Sequence, residues 1–89
     1  MRILLADDEK NILIIYSEML SGNGHEVTAV SNGSEVIRLL DEIDFDMLIL
    51  DLYMPEMDGF EAIQTLRDKG YTVPVLVMTG HFPDDEVTA

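Results

Sequence analysis

The sequence contains no cysteine and only two histidines, His25 and His81. Without thiols it can form no disulfide, no thiolate metal site and no cysteine nucleophile, and two histidines argue against a histidine-rich zinc site. No apolar run approaches the roughly 18 to 20 residues that a membrane-spanning helix needs. The amino-terminal residues also lack the pattern of a secretory signal, a basic segment followed by a long apolar one. These absences favour a cytoplasmic domain that makes no membrane contact.

Basic residues are scarce as well. Five Lys and Arg stand against 18 Asp and Glu, which gives a formal net charge of −13 over 89 residues. Binding to nucleic acid or to an anionic membrane depends on clustered basic side chains, so we expect neither as a partner. Hydrophobic residues make up 47% of the chain, which is enough for a folded core. A chain of this length forms one domain, and we assign residues 1–89 to it.

Short apolar runs alternate with amphipathic segments along the chain. The runs are predicted strands because they are short and rich in branched residues. They lie at 2–6, 25–30, 47–50 and 75–78. The segments between them have apolar residues at helical spacing. In the first predicted helix this face consists of Ile12, Ile15, Tyr16, Met19 and Leu20. Pro83 suits the first turn of a fourth helix. The alternation predicts an α/β fold with a doubly wound parallel sheet, covered by helices on both faces.

Polar side chains follow three of the predicted strands directly. Asp7 and Asp8 follow the first strand, Asp51 follows the third, and Thr79 follows the fourth. The carboxyl ends of parallel strands meet at one edge of the sheet, which is where sites form in this class of fold. Carboxylates gathered there repel each other unless a cation joins them, and Mg²⁺ prefers such oxygen ligands. The sequence therefore predicts a magnesium site at this edge.

Other interpretations of these residues are less satisfactory. Taken alone, Asp7 and Asp8 would only cap the following helix, and Thr79 would be a strand-end hydroxyl. A flavodoxin-like flavin site needs a phosphate-binding loop after the first strand, where this chain has an acidic run that repels phosphate. A phosphatase of the haloacid-dehalogenase type needs an acid two residues after its nucleophile, where this chain has Tyr53. Magnesium-assisted attack of the Asp51 carboxylate on a phosphoryl group remains.

Three segments carry a family resemblance. They read ILLADDE at 3–9, LILDLYMPEMDG at 48–59 and VLVMTG at 75–80. The chain resembles the receiver domain of two-component response regulators, the CheY-like family with a flavodoxin-like fold, over its whole length. The resemblance implies that Asp51 is the phosphoryl acceptor and Thr79 the switch hydroxyl. It implies Mg²⁺ as the cofactor, and it gives the metal ligands as Asp7, Asp8, Asp51 and the backbone carbonyl of Tyr53.

The same resemblance implies the partners in a phosphorelay. A histidine kinase or a histidine phosphotransfer protein would phosphorylate Asp51, and an output domain or a downstream protein would respond to the change. The domain is then a kinase substrate that can hydrolyse its own acyl phosphate, and it is not an enzyme acting on other molecules. Pro55 and Gly59 are expected to shape the loop that follows Asp51.

The family's fifth strand and fifth helix have no counterpart before Ala89. The resemblance implies strand order 2-1-3-4-5, so we expect order 2-1-3-4 in a receiver domain that is incomplete at its C-terminus. The lysine that ends the family's fifth strand also has no equivalent, since Lys10 and Lys69 fall in helical segments. Its absence leaves a second interpretation open, a non-phosphorylated pseudo-receiver that acts as an interaction module. The fourth strand would be an apolar edge beside a bare face of the first helix, and this edge is a candidate surface for a homodimer.

Overall fold

Strands and helices alternate along the chain, as the sequence pattern predicts. The computed structural model describes residues 1–54 and 57–78. The elements in chain order are β1 (Arg2–Ala6), α1 (Lys10–Gly22), β2 (Glu26–Val30), α2 (Gly33–Glu42), β3 (Met47–Asp51), α3 (Gly59–Asp68) and β4 (Val75–Met78). The predicted fourth helix lies outside the described residues. Within the described ranges, no helix combines the length and the apolar character needed to span a bilayer.

The four strands form one parallel sheet in the order β2-β1-β3-β4. This is the predicted strand order and the predicted fold class. β1 and β3 are the two central strands, and their register pairs Ala6 with Leu50. Asp7 directly follows Ala6, and Asp51 directly follows Leu50. The two aspartates are therefore brought side by side at the carboxyl edge of the sheet.

The core lies on both faces of the sheet. On one face, Leu4, Leu48 and Leu50 are fully buried against α2 and α3, which contribute residues such as Val36 and Leu66. On the other face a smaller cluster is formed by alternate strand residues and α1. It consists of Ile3, Leu5 and Ile49, with Leu13, Tyr16 and Leu20 packed against them. Both central strands are thus covered on two sides, which explains why their sequences are continuously apolar.

The predicted apolar face of α1 is only partly buried. Ile15 and Met19 are 56% and 52% exposed, whereas Leu13, which lies outside the predicted face, packs on the sheet. The helix leans toward β1 and β2, so its side nearest β4 has no cover among the described residues. β4 is the outer strand there, with Leu76 55% exposed. Within the described residues, β4 is therefore an apolar edge strand beside an uncovered face of α1.

Side chains cap the start of α2. The Asn32 side chain accepts a hydrogen bond from the Glu35 amide at 3.0 Å, as expected of an N-cap residue. The Glu35 carboxylate in turn accepts from the amide of Ser31 at 3.4 Å, one residue earlier than in a standard capping box. The chain between β2 and α2 is therefore held by its own side chains.

Polar contacts join α2 to the end of α3 at the amino edge of the sheet. The Asp41 carboxylate accepts hydrogen bonds from the Lys69 ammonium, at 2.8 Å, and from the Tyr71 hydroxyl. The bond from Lys69 and then that from Tyr71 lower the pKa of Asp41, and the bond to Asp41 raises the pKa of Tyr71. α2 is therefore anchored at its carboxyl end as well as at its start.

Candidate metal and phosphoryl site

Three carboxylates meet at the carboxyl edge of the sheet. Asp7, Asp8 and Asp51 each offer an oxygen atom, and these atoms all lie within 4.8 Å of one another. Asp7 and Asp51 are 5% and 1% exposed, whereas Asp8 is exposed. The cluster is therefore closed on the side of the sheet and open to solvent on the side of Asp8.

Backbone hydrogen bonds orient the two buried carboxylates. The Asp7 side chain accepts from the amide of Glu9 at 2.9 Å, and the Asp51 side chain accepts from the amide of Tyr53 at 3.1 Å. In both turns an Asp side chain bonds the backbone two residues further on, a geometry that short acidic side chains favour. The Asp7 amide itself donates to the carbonyl of Val30 at the end of β2, at 3.1 Å. Backbone groups of the neighbouring strand and turns thus hold Asp7 and Asp51 in place.

Burial and, to a smaller extent, the crowding of negative charge raise the pKa of Asp7. Burial is the largest cause, and the neighbouring Asp51 and Asp8 carboxylates add to it, while the hydrogen bond from Glu9 acts in the opposite direction. Together they bring the pKa of Asp7 from its ordinary value of 3.8 to about 6. A buried carboxyl in this position favours either a proton or a bound cation.

The chemistry of the cluster suits a metal ion. All of its side-chain donors are carboxylate oxygens, which hard cations such as Mg²⁺ prefer over nitrogen or sulfur. The open side at Asp8 leaves room for the water molecules that Mg²⁺ retains in proteins. The cluster is acidic and also buried at two of its three members, so the cation would compensate charge that water hydrates poorly.

Two glycines hold the chain that follows β3. The Gly59 amide donates to the carbonyl of Leu52 at 3.0 Å, and a Cβ atom on Gly59 would lie 2.5 Å from the Asp51 carbonyl oxygen. The Gly33 amide donates to the carbonyl of Met57 at 3.1 Å. The sequence predicts that Gly59 shapes this loop, but it gives no signal that Gly33 lies beside it.

The structure brings together three of the predicted site residues and places a fourth beside them. Asp7, Asp8 and Asp51 form the cluster, and Tyr53 is bonded to Asp51 through its amide, with its side chain 46% exposed. Thr79, Pro55 and His81 lie outside the described residues.

Residues 3–89 match the family described as the response regulator receiver domain. The chain belongs to this family. Among curated proteins, this receiver domain is 39% identical over 79 residues to the transcriptional regulatory protein TctD of Salmonella typhimurium, a match that covers 89% of this chain and 35% of TctD. It therefore spans about a third of that relative, and the acid cluster described above lies within the matched family.

Solved structures of receiver domains have the same fold. The response regulator TrrA of Thermotoga maritima, solved in complex with Mg²⁺–BeF, is 32% identical with a TM-score of 0.80, and the match covers 94% of this chain and 75% of that one. TrrA has also been solved in complex with the histidine kinase ThkA. That match has a TM-score of 0.83 at 32% identity and covers 92% of this chain and 71% of the other.

Proposed function

We propose that this receiver domain is a phosphorylation switch in which Asp51 accepts a phosphoryl group from a histidine kinase or a histidine phosphotransfer protein. The observation that carries the proposal is the convergence of the Asp7, Asp8 and Asp51 carboxylates within 4.8 Å at the carboxyl edge of the sheet. The similarity to TrrA, which has been solved with a histidine kinase and with Mg²⁺–BeF, supports both the donor and the cofactor.

In the proposed transfer, a carboxylate oxygen of Asp51 attacks the phosphorus of a phosphohistidine. The new P–O bond gives an acyl phosphate as the P–N bond breaks, and the imidazole nitrogen keeps the electron pair of that bond. Asp51 is suited to this attack because the hydrogen bond from the Tyr53 amide orients its side chain. Burial of Asp51 on the sheet side leaves the open side of the cluster as the direction of approach.

The residues that would hold Mg²⁺ are Asp7, Asp8, Asp51 and the backbone carbonyl of Tyr53. The bound ion would supply charge stabilisation to the phosphoryl oxygens, which otherwise face the acidic cluster. Asp7 and Asp8 keep the site acidic when Asp51 is phosphorylated, so the affinity for a cation is retained after transfer.

The response to phosphorylation belongs to the same proposal. We assign Thr79 as the switch hydroxyl, and we expect the added charge to change contacts with an output domain or a downstream protein. The relatives AtoC and TctD are both named as regulatory proteins, and the chain spans only 17% and 35% of their lengths. A cytoplasmic location and a homodimer through the edge of β4 are further parts of the proposal.

Intact-mass measurement after incubation with acetyl phosphate tests the proposal directly. We expect a single phosphoryl adduct that requires Mg²⁺, disappears with a chelator and is absent from Asp51→Asn. The matched control is Asp44→Asn, which removes an exposed carboxylate near the opposite edge of the sheet and should leave the adduct unchanged. A folded, Mg²⁺-binding protein that forms no adduct would reject the phosphoryl-acceptor role.

A further inference from the structure

The turn between β2 and α2 contacts both sides of the acid site. At its start, the carbonyl of Val30 accepts a hydrogen bond from the Asp7 amide at 3.1 Å. At its end, the amide of Gly33 donates to the carbonyl of Met57, also at 3.1 Å. Asp7 belongs to the cluster itself, and Met57 belongs to the loop that follows Asp51. A four-residue turn outside the cluster therefore connects the strand that carries one acid with the loop that follows another.

Gly33 is required here by space. A Cβ atom at this position would lie 2.3 Å from the Met57 carbonyl oxygen and 2.9 Å from its Cγ atom. Among the described glycines, only Gly24 and Gly70 have positive φ. Gly33 therefore has a backbone conformation that any residue type can adopt, and the restriction at this position is steric. The absence of a side chain is what lets the start of α2 approach Met57 closely enough for the hydrogen bond.

The contact reaches the acid cluster through Gly59 and Leu52. Met57 lies two residues before Gly59, whose amide donates to the carbonyl of Leu52 at 3.0 Å. Leu52 directly precedes Tyr53, whose amide bonds the Asp51 carboxylate. A displacement of Met57 therefore acts, through Gly59 and Leu52, on the hydrogen bond that orients the phosphoryl acceptor.

α2 is held in place by its own contacts, so it does not readily move away from Met57. Its inner face is buried at Val36, Leu39 and Leu40, its start is held by the Asn32 cap, and its last turn is bonded through Asp41 to Lys69. An added methyl group at Gly33 must therefore be accommodated mainly by a displacement of Met57.

We propose that Gly33 is a positioning residue of the acid site, which sets the placement of Met57 and, through it, of Tyr53 relative to Asp7 and Asp51. The proposal deepens the metal-dependent switch described above and rests on it. Gly33 acts through Met57, so it is not itself a ligand or a catalytic residue.

The test compares Gly33→Ala with Gly22→Ala. Gly22 is a matched control because it has nothing within 4 Å of a built Cβ atom and no positive φ. For Gly33→Ala we expect Mg²⁺ to bind about 10-fold more weakly or worse, which is the scale of substitutions behind the ligands of a metal site. We also expect changed amide NMR shifts at Tyr53 and Asp7 in metal-free protein. Gly22→Ala should show neither effect.

A double variant separates the carbonyl contact from side-chain crowding. The nearest atom to the added Cβ is the Met57 backbone oxygen, so Gly33→Ala combined with Met57→Gly should remain impaired. Recovery of parental Mg²⁺ affinity in the double variant would overturn the proposed backbone mechanism. Parental affinity and unchanged Tyr53 shifts in Gly33→Ala would overturn the proposal altogether.

A second measurement, amide hydrogen exchange in the parent chain with and without Mg²⁺, needs no variant and so does not depend on how well the variants fold. If the Gly33–Met57 hydrogen bond and Mg²⁺ favour the same position of Met57, Mg²⁺ must slow exchange of the Gly33 amide. The Gly24 and Gly70 amides, hydrogen-bonded at 3.0 Å in distant turns, are the internal controls. Equal slowing at all three amides would contradict the proposal. A parent chain that binds no Mg²⁺ would instead reject the proposed switch, and the metal-free shifts would still decide the role of Gly33.

Discussion

The carboxyl groups of Asp7 and Asp51 lie within 4.8 Å of each other on neighbouring parallel strands, and the two residues are only 5% and 1% exposed. Like charges this close and this poorly hydrated oppose folding, because each disfavours the ionised form of the other. The fold nevertheless holds both through backbone hydrogen bonds. The two buried carboxylates therefore lower the free energy of unfolding of the metal-free domain, and this loss can be measured.

The stability of the metal-free domain should depend on the protonation of Asp7. Its pKa is about 6 in the folded chain against an ordinary 3.8, so the folded state binds the proton more tightly than the unfolded state. The stabilising contribution is complete below about pH 4 and is lost as the pH rises through about 6. Because water reaches the open side of the cluster, we expect Asp7→Asn to gain about 1 to 2 kcal/mol over the parent at about pH 7.

Urea unfolding followed by circular dichroism, at acid and neutral pH without divalent cations, checks this expectation. The difference between Asp7→Asn and the parent should grow as the pH rises. The difference between Asp44→Asn and the parent should show no such change around pH 6. A gain for Asp7→Asn that is the same at both pH values would contradict the proposed origin in Asp7 ionisation.

Replacing Asp8 should weaken Mg²⁺ binding with little effect on the stability of the metal-free domain. Asp8 is exposed and contributes less than burial and Asp51 to the raised pKa of Asp7, so Asp8→Asn should change the unfolding midpoint of the metal-free domain much less than Asp7→Asn does. Mg²⁺ at about 100 times its Kd should stabilise the parent by about 2.7 kcal/mol. This increment should fall in Asp8→Asn because one of three carboxylate donors is lost. Sodium chloride at matched ionic strength controls for screening, and an equal increment from both salts would count against a specific site.

Much of the site followed from the sequence because it depends on local patterns. Apolar strands that end in Asp7 and Asp51 predicted their meeting, since parallel strands align their carboxyl ends. Gly33 was missed because its role depends on the approach of two turns that are far apart in sequence. The faces of α1 were only partly predicted, since helical spacing indicates an apolar stripe at Ile15 and Met19 but not which part of it finds a partner.

The hydroxyl of Tyr71 should ionise above the ordinary pKa of tyrosine. Its hydroxyl donates to the Asp41 carboxylate, and this bond raises the pKa of the phenol because ionisation would place two negative charges together. The contribution of the bond to stability is present below the ordinary pKa of tyrosine and is lost as the pH rises through the raised value. Ultraviolet titration should therefore show a late-ionising tyrosine that is absent from Tyr71→Phe.

Asp41→Asn should shift that late ionisation toward the ordinary range of tyrosine. Glu18→Gln, on α1 and away from this contact, is the matched control and should leave the ionisation unchanged. Circular dichroism across the same pH range establishes that the chain is still folded where Tyr71 titrates. A late-ionising tyrosine that persists in Asp41→Asn would show that the hydrogen bond is not its cause.

The edge of β4 should mediate self-association if the proposed homodimer forms there. Leu76 and Val77 are 55% and 40% exposed, and within the described residues no strand pairs with the outer side of β4. Beside it, a groove of about 260 Å³ is lined by apolar side chains of α1 and the sheet. Edges of this kind pair with other chains unless charge prevents it. Leu76→Lys should therefore abolish association, whereas Phe60→Lys, at an equally exposed position on α3, should not.

Sedimentation at several protein and salt concentrations distinguishes this contact from unspecific aggregation. The net charge of −13 opposes the approach of two copies, so screening by salt should strengthen a dimer that is held by apolar contacts and strand pairing. A contact held by ion pairs would weaken under the same conditions. A parent chain that stays monomeric throughout, or a Leu76→Lys variant that associates as the parent does, would remove β4 as the dimer interface.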